Sequence, residues 1–188
     1  MAAAVVLVVT GAGELRKDAP VPVATLPMAS PTVSAPQEPE RPPLGAVIST
    51  GMQDSVGEKV FYVVEIDAPG ELPNIHFGLI AGHRTPDGRL LSGYLANEFR
   101  GSDRSPGFHA VSGGERINDQ YLPVYGYFAG PAARITGIVH GETVQARLAG
   151  WSEDPQIVVF WFTPVDVPSS AVLSPLTAYT KDGAKLTR

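Results

Sequence analysis

Glycine and proline interrupt this chain so often that its body has no room for a long helix. The sequence contains 20 glycines and 18 prolines among 188 residues, and they break nearly every long window. Both residues destabilise a helix interior, whereas short strands that end in turns accommodate them. Apolar residues also fail to keep a helical spacing, so the pattern predicts an all-β body.

Short segments from residue 45 onward alternate between apolar and polar side chains, as strands do. Residues 75–81 show this most clearly, whereas residues 59–66 are predicted to form a strand that is apolar on both faces, with Val60 and Phe61 on opposite sides. Residues 85–88, which contain Pro-Asp-Gly, and the Asp182-Gly183 pair have the composition of hairpin turns. We therefore predict an antiparallel β-sandwich, immunoglobulin-like or similar, with about eight or nine strands over residues 45–188.

A further hairpin is predicted from residues 134–139 and 143–149, which flank a His140-Gly141 turn. A two-residue hairpin turn requires left-handed backbone conformations, which glycine adopts readily. In the second arm, Val144, Ala146 and Leu148 alternate with polar residues. We expect these three side chains to point toward the core of the sandwich.

Residues 157–162, with the sequence IVVFWF, are apolar on both faces of the predicted strand. One face is expected to carry Ile157, Val159 and Trp161, and the other Val158, Phe160 and Phe162. Burying Phe160 and Phe162 is worth roughly 1.5–3 kcal/mol for each ring, so water is not expected on either face. One interpretation is cover from within the chain, by the stalk or by residues 99–122. The alternative is an exposed patch that binds a partner, which makes Phe160, Trp161 and Phe162 a candidate binding surface.

The chain opens with an apolar run, MAAAVVLVV, followed by small residues and then charges. A helix that spans a bilayer needs about 20 apolar residues, so residues 1–18 are interpreted as a truncated transmembrane or signal-like segment. Two alternatives stay open, namely a buried strand over residues 2–9 and a disordered tail.

Residues 19–44 are rich in proline, with prolines at eight of the 25 positions from 19 to 43. Proline lacks an amide donor and fixes its own φ, so this stretch is predicted to be a disordered, extended linker. An apolar anchor, a proline-rich stalk and a folded domain together suggest a tethered module on the extracytoplasmic face of the cell membrane, or a secreted one.

Composition and motifs narrow the functional classes. The net charge of −5 and the scattered basic residues argue against nucleic acid as a partner. The chain has no cysteine, which excludes disulfides, thiolate metal sites and thiol nucleophiles. Because the catalytic motifs of serine hydrolases, phosphate-binding loops and zinc proteases are also missing, we predict a non-enzymatic domain without cofactor or metal. Its partner is expected to be an envelope protein or a cell-wall polymer.

Histidines provide one alternative to a non-enzymatic domain without a metal. A metal site, or the site of an unrecognised hydrolase, would have to bring His83 and His109 together with a carboxylate such as Asp103 or Glu115. Histidines in solvated loops and strands are the simpler interpretation.

Aromatic residues suggest a second alternative, a cell-wall or carbohydrate-binding module. Tyr125 and Tyr127 would share one strand face, and Trp151 could extend that aromatic platform. Packing within a sheet is the simpler role for two such tyrosines.

Three features together resemble the membrane-anchored or secreted β-domains of unknown function found in actinobacteria. They are the AAAVVLVV start, the stalk of Pro, Ala, Ser and Thr, and the closing hairpin PLTAYTKDGAKL. The resemblance implies a tethered β-domain outside the cytoplasm. It implies no activity and no site residues.

Overall fold

The structure, a computed structural model, describes residues 41–117 and 120–186. The predicted segment 1–18 and most of the linker 19–44 therefore lie outside the described residues. In the described part, no helix is long and apolar enough to cross a membrane. The only helix there is a short 3-10 turn at Ser170–Val172, so the predicted all-β class is confirmed.

The strands, in chain order, are β1 (Ile48–Gln53), β2 (Glu58–Glu65), β3 (Phe77–Arg84), β4 (Leu90–Ala96), β5 (Gly107–Ser112), β6 (Glu115–Ile117), β7 (Gln120–Leu122), β8 (Tyr125–Ala129), β9 (Arg134–Val139), β10 (Glu142–Gln145), β11 (Arg147–Gly150), β12 (Ile157–Trp161), β13 (Thr177–Tyr179) and β14 (Lys185–Leu186).

These strands form three antiparallel four-stranded sheets and one separate hairpin. The first sheet has the order β1-β2-β3-β4, the central sheet β11-β12-β8-β5 and the third sheet β10-β9-β13-β14, while β6 pairs with β7. The central sheet packs against the first sheet on one face and against the third sheet on the other. The fold is therefore a sandwich of three layers, with more and shorter strands than the eight or nine predicted.

Strand β12 shows why three layers form. Ile157, Val159 and Trp161 lie in the core shared with the first sheet, whereas Val158 and Phe160 lie in the core shared with the third. Both apolar faces are thus covered from within the chain. The expectation that residues 99–122 supply this cover is wrong, because β5 pairs beside β8 in the central sheet itself.

The core between the first and central sheets, here called the first core, is rich in aromatic rings. Phe61 stacks on Tyr125 with ring centroids 5.0 Å apart and contacts Trp161 at 5.5 Å. Phe77 lies 4.9 Å from Trp151 and 5.1 Å from Tyr127. Aromatic pairs of this kind add about 0.5–1.5 kcal/mol each beyond the burial of their area, so they fix how the two sheets pack.

Strand β2 is also apolar on both faces, as its alternation predicts. Phe61 and Val63 lie in the first core, whereas Val60, Tyr62 and Val64 are buried on the opposite face of the first sheet. A hydroxyl–hydroxyl hydrogen bond of 3.1 Å joins Tyr62 to Ser92.

The predicted turns are present. Residues 85–88 connect β3 to β4, and the Thr85 amide donates to the Arg89 carbonyl across the turn. His140 and Gly141 connect β9 to β10 with φ values of 51° and 88°. Gly183, with φ of 86°, closes the turn between β13 and β14.

His140 provides a test of this turn chemistry. Its left-handed backbone is unfavourable for most residues but readily adopted by asparagine, which is the preferred partner of glycine in such turns. We expect His140→Asn to raise the free energy of unfolding by about 0.5 kcal/mol in urea denaturation. A loss of stability would contradict the role assigned to the left-handed conformation at His140.

The predicted single strand over residues 143–149 is wrong. Strand β10 pairs with β9 in the third sheet, whereas β11 pairs with β12 in the central sheet. The chain crosses between the layers at Ala146, which is buried and whose amide donates to the Ile135 carbonyl at 3.0 Å. The inward positions of Val144, Ala146 and Leu148 are confirmed, since all three contribute to the core shared with the third sheet.

Before β1, the chain is already attached to two layers of the fold. The Leu44 amide donates to the Val63 carbonyl at 2.7 Å, and the Leu44 carbonyl accepts a hydrogen bond of 2.8 Å from the Trp151 indole. The Ala46 amide donates to the Ser152 hydroxyl, also at 2.8 Å. Leu44 itself packs against the first core.

A candidate ligand-binding cleft

A cleft of about 410 Å³ opens between the first sheet and the β6–β7 hairpin. This volume lies within the range of roughly 300–1,000 Å³ typical of small-molecule sites. Its walls are formed by the start of β2, the end of β3, the middle of β4 and the hairpin. The side chains that argue for a site are Lys59, His83, Tyr94, Ile117, Gln120 and Tyr121.

The apolar wall of the cleft is open to solvent. Tyr94 is 44% exposed and Ile117 is 36% exposed, although most aromatic and aliphatic side chains of the body are buried. Tyr121, which also lines the cleft, is fixed by a hydrogen bond of 2.5 Å from its hydroxyl to the Val167 carbonyl. Partial burial raises the pKa of the Tyr121 phenol, so it remains a neutral donor at neutral pH.

A charged cluster of Asp54, Lys59 and His83 lies at one end of the cleft. The Asp54 Oδ2 atom is 2.7 Å from Lys59 Nζ and 2.8 Å from His83 Nε2. Lys59 Nζ and His83 Nε2 are 3.3 Å apart. Because an ionised carboxylate oxygen can only accept hydrogen bonds, both nitrogens are assigned as donors to Oδ2.

The β1–β2 turn holds Asp54 in place. Its Oδ1 atom accepts hydrogen bonds from the Val56 amide at 2.9 Å and the Gly57 amide at 3.3 Å. The Asp54 amide in turn donates to the Gly57 carbonyl at 3.0 Å. One carboxylate oxygen therefore shapes the turn while the other organises Lys59 and His83.

The pKa of Asp54 reflects these contacts. Partial burial alone would raise it, but the hydrogen bonds from Lys59 and His83 outweigh that effect, and the pKa falls well below its ordinary value of 3.8. Since the pKa is lower in the folded state than in the unfolded state, ionised Asp54 stabilises the fold above about pH 4. This stabilisation is lost as the pH falls further.

Replacement of Asp54 tests this linkage. We expect Asp54→Asn to lower the free energy of unfolding by about 1 kcal/mol at pH 7, a value reduced by solvent screening of a partly exposed group. Below about pH 4 the difference from wild type should shrink, because the stabilisation by ionised Asp54 is progressively lost there. Urea denaturation at pH 7, 4 and 2.5 measures both effects, and a difference independent of pH would contradict the assignment.

The structure does not bring together the histidines proposed for a metal or hydrolase site. His83 belongs to the cleft, whereas His76 Nδ1 lies 3.3 Å from the buried Asp103 carboxylate and His109 stacks on Tyr127 at 5.0 Å. Over residues 41–117 and 120–186, no group of three or more His, Asp and Glu residues could hold a metal ion. The set of His83, His109 and Asp103 or Glu115 is therefore not supported as a metal site.

The aromatic residues proposed as a binding surface lie in the interior. Each is at most 5% exposed, and they are Tyr125, Tyr127, Trp151, Phe160, Trp161 and Phe162. They are buried because the central sheet has a packed layer on each face. In this structure these six side chains hold the layers together and offer no aromatic platform to a ligand.

Sequence reasoning missed Tyr94 and Tyr121 as site residues, and it did not join Asp54 and Lys59 to His83. One signal was present. Lys59 shares a strand face with Phe61 and Val63, so a charge follows directly on an apolar face. Lys59 is thus the point at which the apolar face of β2 reaches the cleft.

Comparisons of this chain with known protein families, with curated proteins and with solved structures find no match. The resemblance to actinobacterial β-domains therefore stays a prediction. What the chain does has to be inferred from the geometry of the cleft and from the layout of the sequence.

Proposed function

We propose that this chain is a non-catalytic binding domain, held outside the cytoplasm by its N-terminal segment, that binds its ligand in the cleft. The sequence supports the tether through its apolar start and its proline-rich stretch. The fold supports the binding role, because the first sheet, which packs on the central sheet, forms one wall of the cleft.

One observation carries the proposal, namely the exposure of Tyr94 beside a charged cluster. Tyr94 presents a half-exposed aromatic ring inside a concave site, and an aromatic ring in that position favours ligand binding. The cluster adds donors and an acceptor that can fix the orientation of a ligand.

The arrangement around His83 favours binding over hydrolysis. A histidine base activates a nucleophile by accepting its proton through a direct hydrogen bond. In the part of the chain that the structure describes, the His83 side chain contacts Asp54 and Lys59 in this way, and no hydroxyl is hydrogen-bonded to it. A hydrolase centred on His83 is the alternative, and hydrolysis of ester, amide or glycoside substrates that His83→Ala abolishes would establish it.

Cell fractionation tests the proposal that the domain is held outside the cytoplasm. Cells that express the full chain with a C-terminal epitope tag would be fractionated and then treated with protease while intact. We expect the tag in the membrane or extracellular fraction and accessible to protease. A protein found only in the cytosol, and protected until lysis, would contradict an extracytoplasmic role.

The cleft itself is tested by amide chemical shifts. Titration of the full ¹⁵N-labelled chain with a library of small polar and aromatic molecules should shift the amides of β4 and the β6–β7 hairpin. Shifts confined to other surfaces would show that the cleft is not the binding site.

A further inference from the structure

We propose that the ligand of this cleft is a short saccharide, stacked on Tyr94 and hydrogen-bonded by Gln120 and the Asp54–Lys59–His83 cluster. This inference rests on the proposed binding function and adds the chemical class of the ligand. Tyr94 and Gln120, on which it depends, are not among the six aromatic residues that the sequence suggested as a binding surface and that the structure buries.

The Tyr94 ring supplies the stacking surface. It lines the cleft and is 44% exposed, while its own carbonyl accepts a hydrogen bond of 3.2 Å from the Tyr125 hydroxyl. That bond and the strand fix the backbone of Tyr94. A pyranose ring has a face of C–H groups, which the electron-rich face of an aromatic ring attracts. A tyrosine side chain has few rotatable bonds, so little entropy is lost on binding.

Hydrogen-bonding groups in the cleft match the hydroxyls of a sugar. Within the described residues, neither the Tyr94 hydroxyl nor the Gln120 amide has a side-chain hydrogen bond, and both line the cleft. The Gln120 amide both donates and accepts, as a sugar hydroxyl does. Lys59 donates one proton to Asp54 and has further protons available for a ligand. The cleft therefore offers both donors and acceptors around an aromatic face.

The irregular edge of β4 disfavours the main competing ligand, an extended peptide. A peptide that adds to a sheet requires a regular strand edge. In β4 the register against β3 shifts between Ala81 and His83, opposite Ser92 and Gly93. A Cβ atom on Gly93 would lie 2.0 Å from the Ala81 carbonyl oxygen, so the two strands approach closely at this bulge. Saccharide recognition depends on side chains and does not need that edge.

Nucleic acid fits the cleft poorly. The chain has a net charge of −5, and the lysine of the cleft is already paired with a carboxylate. Phosphate backbones require several unpaired cations.

The test is calorimetric titration of the full chain with four trisaccharides, namely chitotriose, cellotriose, maltotriose and xylotriose. Retention on insoluble peptidoglycan would be measured in parallel. We expect at least one saccharide to bind. Tyr94→Ala should weaken that binding about five- to tenfold, as the loss of one aromatic contact predicts. Gln120→Ala should weaken it by a similar factor.

Phe99→Ala is the matched control, because Phe99 is 77% exposed and does not line the cleft. It should leave affinity unchanged, and thermal melts should show that all three variants are folded. If Tyr94→Ala and Phe99→Ala have equal effects on affinity, the proposed site is wrong.

Two further outcomes separate this inference from the binding function on which it rests. If no saccharide or peptidoglycan binds but a proline-rich or other extended peptide shifts the amides of β4 and the β6–β7 hairpin, the saccharide inference fails and the binding function stands. If no saccharide, no peptide and no member of the small-molecule library shifts those amides, the saccharide inference and the proposed binding function are both wrong.

Discussion

Phe160→Ala is expected to lower the free energy of unfolding by about 3–5 kcal/mol. The Phe160 ring is fully buried in the core between the central and third sheets, 5.6 Å from Phe108 and 6.3 Å from Phe162. A Cβ atom on Gly126, the residue opposite Phe160 on β8, would lie only 3.0 Å from that ring. Gly126 lies in a strand whose backbone is held by hydrogen bonds on both sides, so the surroundings can relax only partly into the space that the ring would leave.

Urea denaturation followed by circular dichroism measures this loss, with Phe99→Ala as the matched control. Phe99 is exposed, so the same substitution there should change stability by less than about 0.5 kcal/mol. Equal losses at the two positions would contradict the three-layer packing, since they would place Phe160 outside a packed core.

Gly57→Ala is expected to cost about 2–4 kcal/mol of stability. Gly57 has φ of 148°, and a Cβ atom there would lie 2.3 Å from the Arg84 carbonyl oxygen. Both the strained backbone and a clash with main-chain atoms therefore oppose a side chain. The turn that carries Asp54 would have to move away from β3, which would also disturb the charged cluster.

Two glycines separate these causes. Gly51 has φ of 71° and no atom within 4 Å of an added methyl group, so Gly51→Ala reports backbone strain alone and should cost about 1 kcal/mol. Gly150 has open space and no positive φ, so Gly150→Ala should be close to neutral. If Gly57→Ala lowers the free energy of unfolding no more than Gly51→Ala does, the close approach of β3 to the turn is not the reason for glycine at position 57.

Sequence patterns were sufficient to find many of the strands, because successive side chains of a strand lie on opposite faces. They placed Val60 and Phe61 on opposite faces of β2 and assigned every residue of 157–161 to the correct side of β12. The turn at His140-Gly141 was also predictable, since its backbone conformations restrict the residues that can occupy it.

The layer arrangement was not predictable from the same pattern. A strand with two apolar faces requires cover, but its sequence does not say which distant segment provides it. The break between β10 and β11 was hidden for a related reason. Ala146 keeps the alternation intact, although the chain leaves one sheet and joins another at that residue.

The cleft was missed because its residues come from separate segments of the chain. Tyr94 and Tyr121 belong to elements that meet only after the first sheet and the β6–β7 hairpin fold. Neither residue stands in a motif, and each alone is a plausible packing residue. By contrast, Tyr125 and Tyr127 were conspicuous in the sequence because they share a strand face, and that face is an interior one.

The hydrogen bonds of Leu44 have a mechanical consequence. A pulling force on the N-terminal side of the chain would reach Leu44 before β1, and Leu44 is joined to Val63 of the first sheet and to Trp151 beside the central sheet. The load would thus be shared between two layers and would not peel β1 from its edge one hydrogen bond at a time. Under the tether proposed above, this arrangement would favour a domain that stays folded while a force acts between its N-terminal side and a bound ligand.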